Sequence, residues 1–200
     1  LILEGIVTTQ NAEGTLNIAP MGPCVDSGMQ RFILRPFQSS TTFRNLSAIP
    51  EGVLHVTDDA LMLARAAIGL ELDPPRRPAD VVRGQILTSA CRYYEFRVLR
   101  IDDVDERASI EAETVAHGDL RPFFGWNRAK HAVLEAAILA TRVGILPQAE
   151  IRAQIERLQP WVNKTGGPDE HAAFALLLEH TASSTVLSGP VSPQPPASAR

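Results

Sequence analysis

Near Pro122 the chain changes character, and no other feature constrains its fold as strongly. Upstream, short β-rich runs alternate with turn residues; downstream, long segments of helical periodicity follow one another. Strands first and helices afterwards define an α+β class, because a doubly wound sheet would interleave them. Ile2–Thr9 reads as a strand, Asn11–Thr15 as a hairpin turn and Leu16–Val25 as a second strand. Arg31–Phe37 and Gly52–Thr57 are further strands, with a short helix over Thr41–Ile49 between them. Asp58 and Asp59 begin a capped helix that stops near Gly69. Glu71–Pro78 carries three prolines and two arginines and is expected to be a surface loop. In the long strand Tyr93–Ile101, residues Tyr93, Glu95 and Arg97 alternate with Tyr94, Phe96 and Val98, the period of a half-buried strand. Ala108–His117 is its partner across a D-D-V-D-E-R turn.

Helices are expected over Asn127–Val143, Gln148–Val162 and Asp169–His180, with Gly144, Pro147 and Gly166–Pro168 as stops. The Pro- and Ser-rich tail from Ser188 reads as disordered. These boundaries divide the chain into a barrel-forming part (1–121), a helical subdomain (122–182) and a tail (183–200).

A net charge of -4 does not suit a general nucleic-acid binder. No apolar run is long enough for a membrane-spanning helix, and Glu4 and Gly5 break up what would be a signal peptide. The two cysteines, Cys24 and Cys91, form no C-x-x-C pair, and the five histidines are scattered, so no metal site is expected. That cysteine usage suits a reducing cytoplasm. G-x-G-x-x-G after a strand, Walker A and G-x-S-x-G are all absent.

Three segments could carry chemistry. In R-P-F-Q-S-S-T-T-F-R-N-L, four consecutive hydroxyl residues, Ser39, Ser40, Thr41 and Thr42, stand between Arg35 and Arg44 ahead of a helix. Hydroxyls, guanidinium groups and first-turn N–H groups suit a dianionic phosphate, while the same cluster could serve only as an N-cap. In N-I-A-P-M-G-P, Pro20 and Pro23 exclude a fully paired central strand, leaving either an edge or bulged strand whose backbone can meet a planar ring, or simply an irregular edge that its prolines protect from aggregation. On a helix, Arg128, His131, Glu135 and Arg142 share one stripe, and Ala129, Ala132, Ala136 and Ala140 form a small-residue stripe. The polar stripe faces a ligand cavity or subunit interface, or else it is an ion-pair ladder in which Glu135 holds His131 and Arg142. His55 alternates with apolar residues and reads as the polar face of a strand.

Together these segments, with F-F-G-W-N-R-A-K-H ahead of the third and with E-G-I-V-T-T, H-V-T-D-D and Y-Y-E-F-R-V, resemble the signature blocks of an archaeal and bacterial family, domain of unknown function 447. That family belongs to the FMN-binding split-barrel flavoproteins of the flavin reductase-like and PNP oxidase-like superfamily. The resemblance spans about Ile2 to Phe174. It implies a six-stranded Greek-key split barrel that forms a homodimer with FMN at the subunit interface. It sets the phosphate at Ser39, Ser40, Thr41 and Thr42, with Arg44 and Asn45 behind. It sets the isoalloxazine against Pro20, Met21 and Gly22, with Arg35, Pro36 and Phe37 across from them. The implied activity is an FMN-dependent oxidoreductase exchanging electrons with a small-molecule redox partner, with a pterin of one-carbon metabolism as a lead for the substrate. His131 and Arg128 are the catalytic candidates. The alternative is a non-catalytic flavin carrier or sensor.

Overall fold

The computed structural model describes residues 1–183; residues 184–200, where most of the expected tail falls, lie outside the described part. Strand β1 (Gly5–Gln10) turns back into β2 (Leu16–Met21) through Asn11–Thr15. Asn11 accounts for the turn: its side-chain oxygen accepts the Thr15 N–H at 2.7 Å and its carbonyl accepts the Gly14 N–H at 3.0 Å. Gly14 has φ 82°, a left-handed conformation that other residues adopt at a cost.

The hairpin does not stop at Met21. The register that sets Gly5 opposite Met21 continues to Ile2 opposite Cys24 in β3 (Cys24–Val25). There Leu3 N–H donates to the Pro23 carbonyl at 3.0 Å and Val25 N–H to the Leu1 carbonyl at 2.8 Å. β2 and β3 are therefore one strand path, split at Gly22–Pro23. The remaining strands of the main sheet are β4 (Arg31–Leu34), β5 (Glu51–Val56), β8 (Arg92–Asp102) and β9 (Ser109–Asp119), and its order is β2-β1-β5-β8-β9-β4-β3. Because the two outermost strands belong to one path, the sheet curls shut as a six-path antiparallel barrel. Helix α1 (Thr41–Ala48) carries the chain from β4 across to β5, the Greek-key crossing.

The barrel interior holds Val7, Leu34, Leu54, Phe96 and Ile110, all at most 1% exposed, and Leu46 of α1 joins the same cluster. Phe32 meets Phe96 edge-to-face with centroids 5.3 Å apart. A second core lies outside the barrel. Ile6 and Leu87 join α2 (Ala60–Ala67), α3 (Arg128–Ala140), α4 (Gln148–Thr165) and α5 (Pro168–Ser183) in one apolar cluster. The stripe Ala129, Ala132, Ala136 and Ala140 is buried, and its small side chains let neighbouring helices approach closely.

Three expectations need correction. Glu71–Pro78 is not simply a loop: β6 (Arg76–Pro78) pairs with β7 (Gln85–Leu87) as a separate ribbon. Pro78 is tolerated at the end of an edge strand, where its missing N–H matters least. That ribbon covers the polar face of β8, so Glu95 is fully buried and its carboxylate accepts the N–H groups of Asp80, Val81 and Val82 at 2.9, 2.7 and 3.0 Å. His55 is not on a solvent-facing strand surface but wholly buried under the same ribbon. Finally, among the described residues no ladder joins Glu135 to His131 or Arg142. Helix α3 ends at Ala140, which leaves Arg142 in the following turn, while Arg128, His131 and Glu135 are exposed.

Candidate functional site

The hydroxyl-rich turn divides its side chains between fold and surface. Ser40 is the N-cap of α1, and its Oγ accepts the Phe43 N–H at 3.2 Å. Thr42 and Asn45 point into the seam between α1 and the barrel. Asn17 Nδ2 donates to Thr42 Oγ1 at 3.1 Å and to Thr9 Oγ1 at 3.3 Å, and Asn45 Nδ2 donates to Thr9 Oγ1 at 3.0 Å. Both residues are buried, so their side chains anchor the helix to β1 and β2. Ser39, Thr41 and Arg44 remain on the surface. The Arg44 guanidinium donates to the Ser39 carbonyl at 2.6 Å and to Thr41 Oγ1 at 2.9 Å, which holds it beside the helix N-terminus. The N–H groups of Thr41 and Thr42, at the head of the helix, have no carbonyl a turn earlier within the helix to bond. Gln38 fixes the turn from the other side, donating to the carbonyls of Asp103 and Asp105 at 2.6 and 2.8 Å. Arg107 lies over the Phe37 ring, 4.1 Å from its centroid.

β2 runs along this turn with a strand on one side only, and all six of its residues are half-buried. Pro20 and Met21 end it. At Gly22 a Cβ would lie 3.1 Å from both carboxylate oxygens of Glu4 and 3.2 Å from Ile2, so a larger residue would crowd that face. Extending the Cys24–Ile33 register of β3 and β4 sets Gly22 opposite Arg35. Arg35 is exposed and Pro36 is buried.

Beyond Gly22 lies an open cleft of about 1120 Å³ between the N-terminal residues, the ends of β5 and β9, and the first turns of α3. Leu1, Ile2, Met29, Leu63, Phe123 and Leu134 supply apolar wall; Glu4, Trp126 and His131 also line it. Trp126 stacks on His131 with centroids 5.3 Å apart and planes inclined by 31°, and meets the Phe123 edge at 6.5 Å. Arg128, the other catalytic candidate, is exposed and is not among the cleft walls.

A charged group sits at the floor. Asp58 is ion-paired to Arg121 and accepts the Phe124 N–H at 2.7 Å. Burial alone would raise its carboxyl, but these donors outweigh it and hold the pKa at about 2. Lys130 Nζ donates to the Asp58 carbonyl and to Glu170 Oε1, each at 2.8 Å, tying α3 to both barrel and α5. Glu4 is exposed on the cleft side, but partial desolvation by the surrounding wall, reinforced by the nearby Glu135 charge, pushes its carboxyl up. Burial, with the Asp58 charge beside it, likewise raises the Cys91 thiol. Glu4, Asp58 and Trp126 were not foreseen as site residues. The exposed F-F-G-W run ahead of α3 was the available signal, whereas Glu4 reaches the cleft only through closure of the barrel.

The architecture is a split β-barrel with a helical segment added. The chain belongs to a family described as protein of unknown function (DUF447): residues 3–120 match its N-terminal domain and residues 127–179 a second domain of the same designation. It is similar to an FMN-bound protein of that family from Methanosarcina mazei, with 23% identity, a TM-score of 0.79, and coverage of 90% of this chain and 94% of that one. It shares the barrel fold with the 2-nitrobenzoate 2-nitroreductase of Pseudomonas fluorescens, at 19% identity and TM-score 0.51 over 58% of this chain and 64% of that one. An FMN-binding protein from Thermus thermophilus with bound p-hydroxybenzaldehyde is similar at 13% identity and TM-score 0.51, over 58% and 71% of the two chains. No curated protein matches the sequence.

Proposed function

We propose that this protein binds FMN and acts as an FMN-dependent oxidoreductase. The carrying observation is the surface left at the head of α1, where Arg44 is held over Thr41 beside two first-turn N–H groups, next to the free edge of β2. These residues fit a phosphate: exposed hydroxyls of Ser39 and Thr41, the Arg44 guanidinium with Arg35 nearby, and the positive end of the helix dipole. Thr42, Asn45 and Ser40 support the cradle through the helix they anchor and cap. Pro20, Met21 and Gly22, with Arg35, Pro36 and Phe37 across, form the flat face for the ring. When bound, FMN supplies the electron chemistry. In this reading the barrel of residues 1–121 carries the cofactor and the helical subdomain of 122–182 shapes the cleft.

The family membership and the FMN-bound relative support the cofactor. The cleft beside Gly22 favours an enzyme over a carrier, since a carrier needs no room for a second reactant. His131, on the cleft wall, is the better placed of the two catalytic candidates. A homodimer belongs to the same proposal, supported by the exposed ring of Phe124, which lies outside the cleft walls. So does a cytoplasmic setting, for which the unpaired Cys24 and Cys91 are the support. Among the described residues no helix is long and apolar enough to cross a membrane.

The test is to titrate purified protein with FMN and then supply NADH or NADPH with small acceptors, a pterin among them. Tight FMN uptake with turnover is expected. Uptake without turnover under any of these conditions would leave the carrier reading in its place, and no uptake would end both.

A further inference from the structure

The cleft walls have an unusual charge inventory. Every arginine and lysine on them already has a carboxylate partner: Arg92 with Asp119 at 2.7 Å, Arg121 with Asp58, and Lys130 with Glu170 at 2.8 Å. Among the described residues no arginine or lysine side chain on the walls is without a carboxylate partner. The wall carboxylates are engaged too, for Asp59 accepts the Met62 N–H at 2.8 Å as the cap of α2. Glu4 is the exception: among the described residues it has no hydrogen bond and no ion pair, and it faces the cleft beside Gly22.

The other half of the site is Trp126. Its side chain is held in place by ring contacts with His131 and Phe123, yet the residue is 87% exposed. An indole that meets two other rings, lines the cleft and keeps this much of its surface open offers a face for stacking. We infer that the cleft binds a planar, unphosphorylated heteroaromatic ligand, stacked on Trp126 and presenting N–H donors or a positive charge to Glu4. A dinucleotide would bring its phosphates to a wall whose arginines and lysine already face carboxylates. Partial desolvation and then the nearby Glu135 charge raise the Glu4 carboxyl, and an N–H donor or positive charge from a ligand would oppose both. The inference goes beyond FMN binding and holds whether or not a flavin is present.

The protein has two tryptophans, so Trp161→Phe leaves Trp126 as the sole indole reporter. The probe is 2-aminobenzimidazole, a planar ring with adjacent N–H donors, and the phosphorylated comparison is adenosine 5′-monophosphate. Saturable heat of binding and saturable quenching of Trp126 are expected for the first and not for the second. Glu4→Gln, an exposed change that leaves the barrel intact, is expected to weaken the probe about tenfold, the loss of one charge-assisted contact. Adding FMN is expected to leave probe binding in place, and Thr41→Val is expected to leave it unchanged. Absence of saturable binding, equal binding of the nucleotide, an unaltered Glu4→Gln variant, or displacement of the probe by FMN would each overturn the inference. Failure of FMN to bind at all, with the probe still bound, would count against the flavin reading alone.

Discussion

Leu87 donates its backbone N–H to His55 Nε2 at 3.0 Å, which leaves Nδ1 as the protonated nitrogen facing the Ile6 carbonyl at 3.2 Å. One neutral imidazole thus stitches β7 to β5 and β1. Burial is the main cause of its depressed pKa, about 4, partly offset by the Ile6 carbonyl. The unfolded chain therefore takes up a proton near pH 6.5 that the folded chain refuses until about pH 4. The contribution of His55 is complete above pH 6.5 and is lost as the pH falls through that window. Its size is roughly 3 kcal/mol. Urea unfolding across that range measures it, and His55→Asn is expected to be less stable at neutral pH with a flatter acid slope. An unchanged slope would refute this role. Below pH 3.8 Asp58 becomes the group that loses its contribution, down to about pH 2.

Glu95 governs the β6–β7 ribbon in the same structural sense. Its carboxylate is the acceptor for three consecutive N–H groups, so Glu95→Ala orphans all three and is expected to cost about 3 kcal/mol or more. Glu95→Gln keeps one acceptor oxygen and is expected to lose less. Amide hydrogen exchange over residues 80–82 reads the difference; equal protection in all three proteins would contradict it.

Lys130 and Arg152 provide a contrast between ion pairs. Lys130 and Glu170 are 24% and 9% exposed at their side chains, whereas Arg152 and Glu156 are 78% and 59% exposed. Replacing Lys130 with Met leaves Glu170 nearly buried without its cation and is expected to cost about 1–3 kcal/mol. Arg152→Met is expected to cost roughly 0.5 kcal/mol or less. Comparable losses in denaturant midpoint for the two variants would show that the Lys130 tie does not hold the helices to the barrel.

Much of the framework was legible because local chemistry decided it. Asn11 and Gly14 announce their hairpin, Asp59 and Asn127 cap their helices, and Pro20–Pro23 marks the place where a strand path splits. What escaped was set by distant contacts. Glu95 and His55 alternate as surface residues do, and only the ribbon folding over them makes them interior. The polar stripe of α3 left a cavity-facing reading and an ion-pair ladder open in the sequence; α2, α4 and α5 cover the alanine side, no ladder forms among the described residues, and His131 lines the cleft. In the S-S-T-T turn the residue types were informative while their division was not. Thr42 and Asn45 turn inward because Asn17 and Thr9 await them across the hairpin, and nothing near them in sequence reveals that.

Whether the head of α1 holds a flavin phosphate is decided by Thr41→Val/Arg44→Ala, with FMN and riboflavin affinities measured side by side. Both residues are exposed, and the helix anchors Thr42 and Asn45 are left untouched. FMN is expected to weaken by about tenfold or more while riboflavin is unchanged, because only FMN carries the phosphate those groups would meet. An equal loss for both flavins, or no loss for either, would contradict the account.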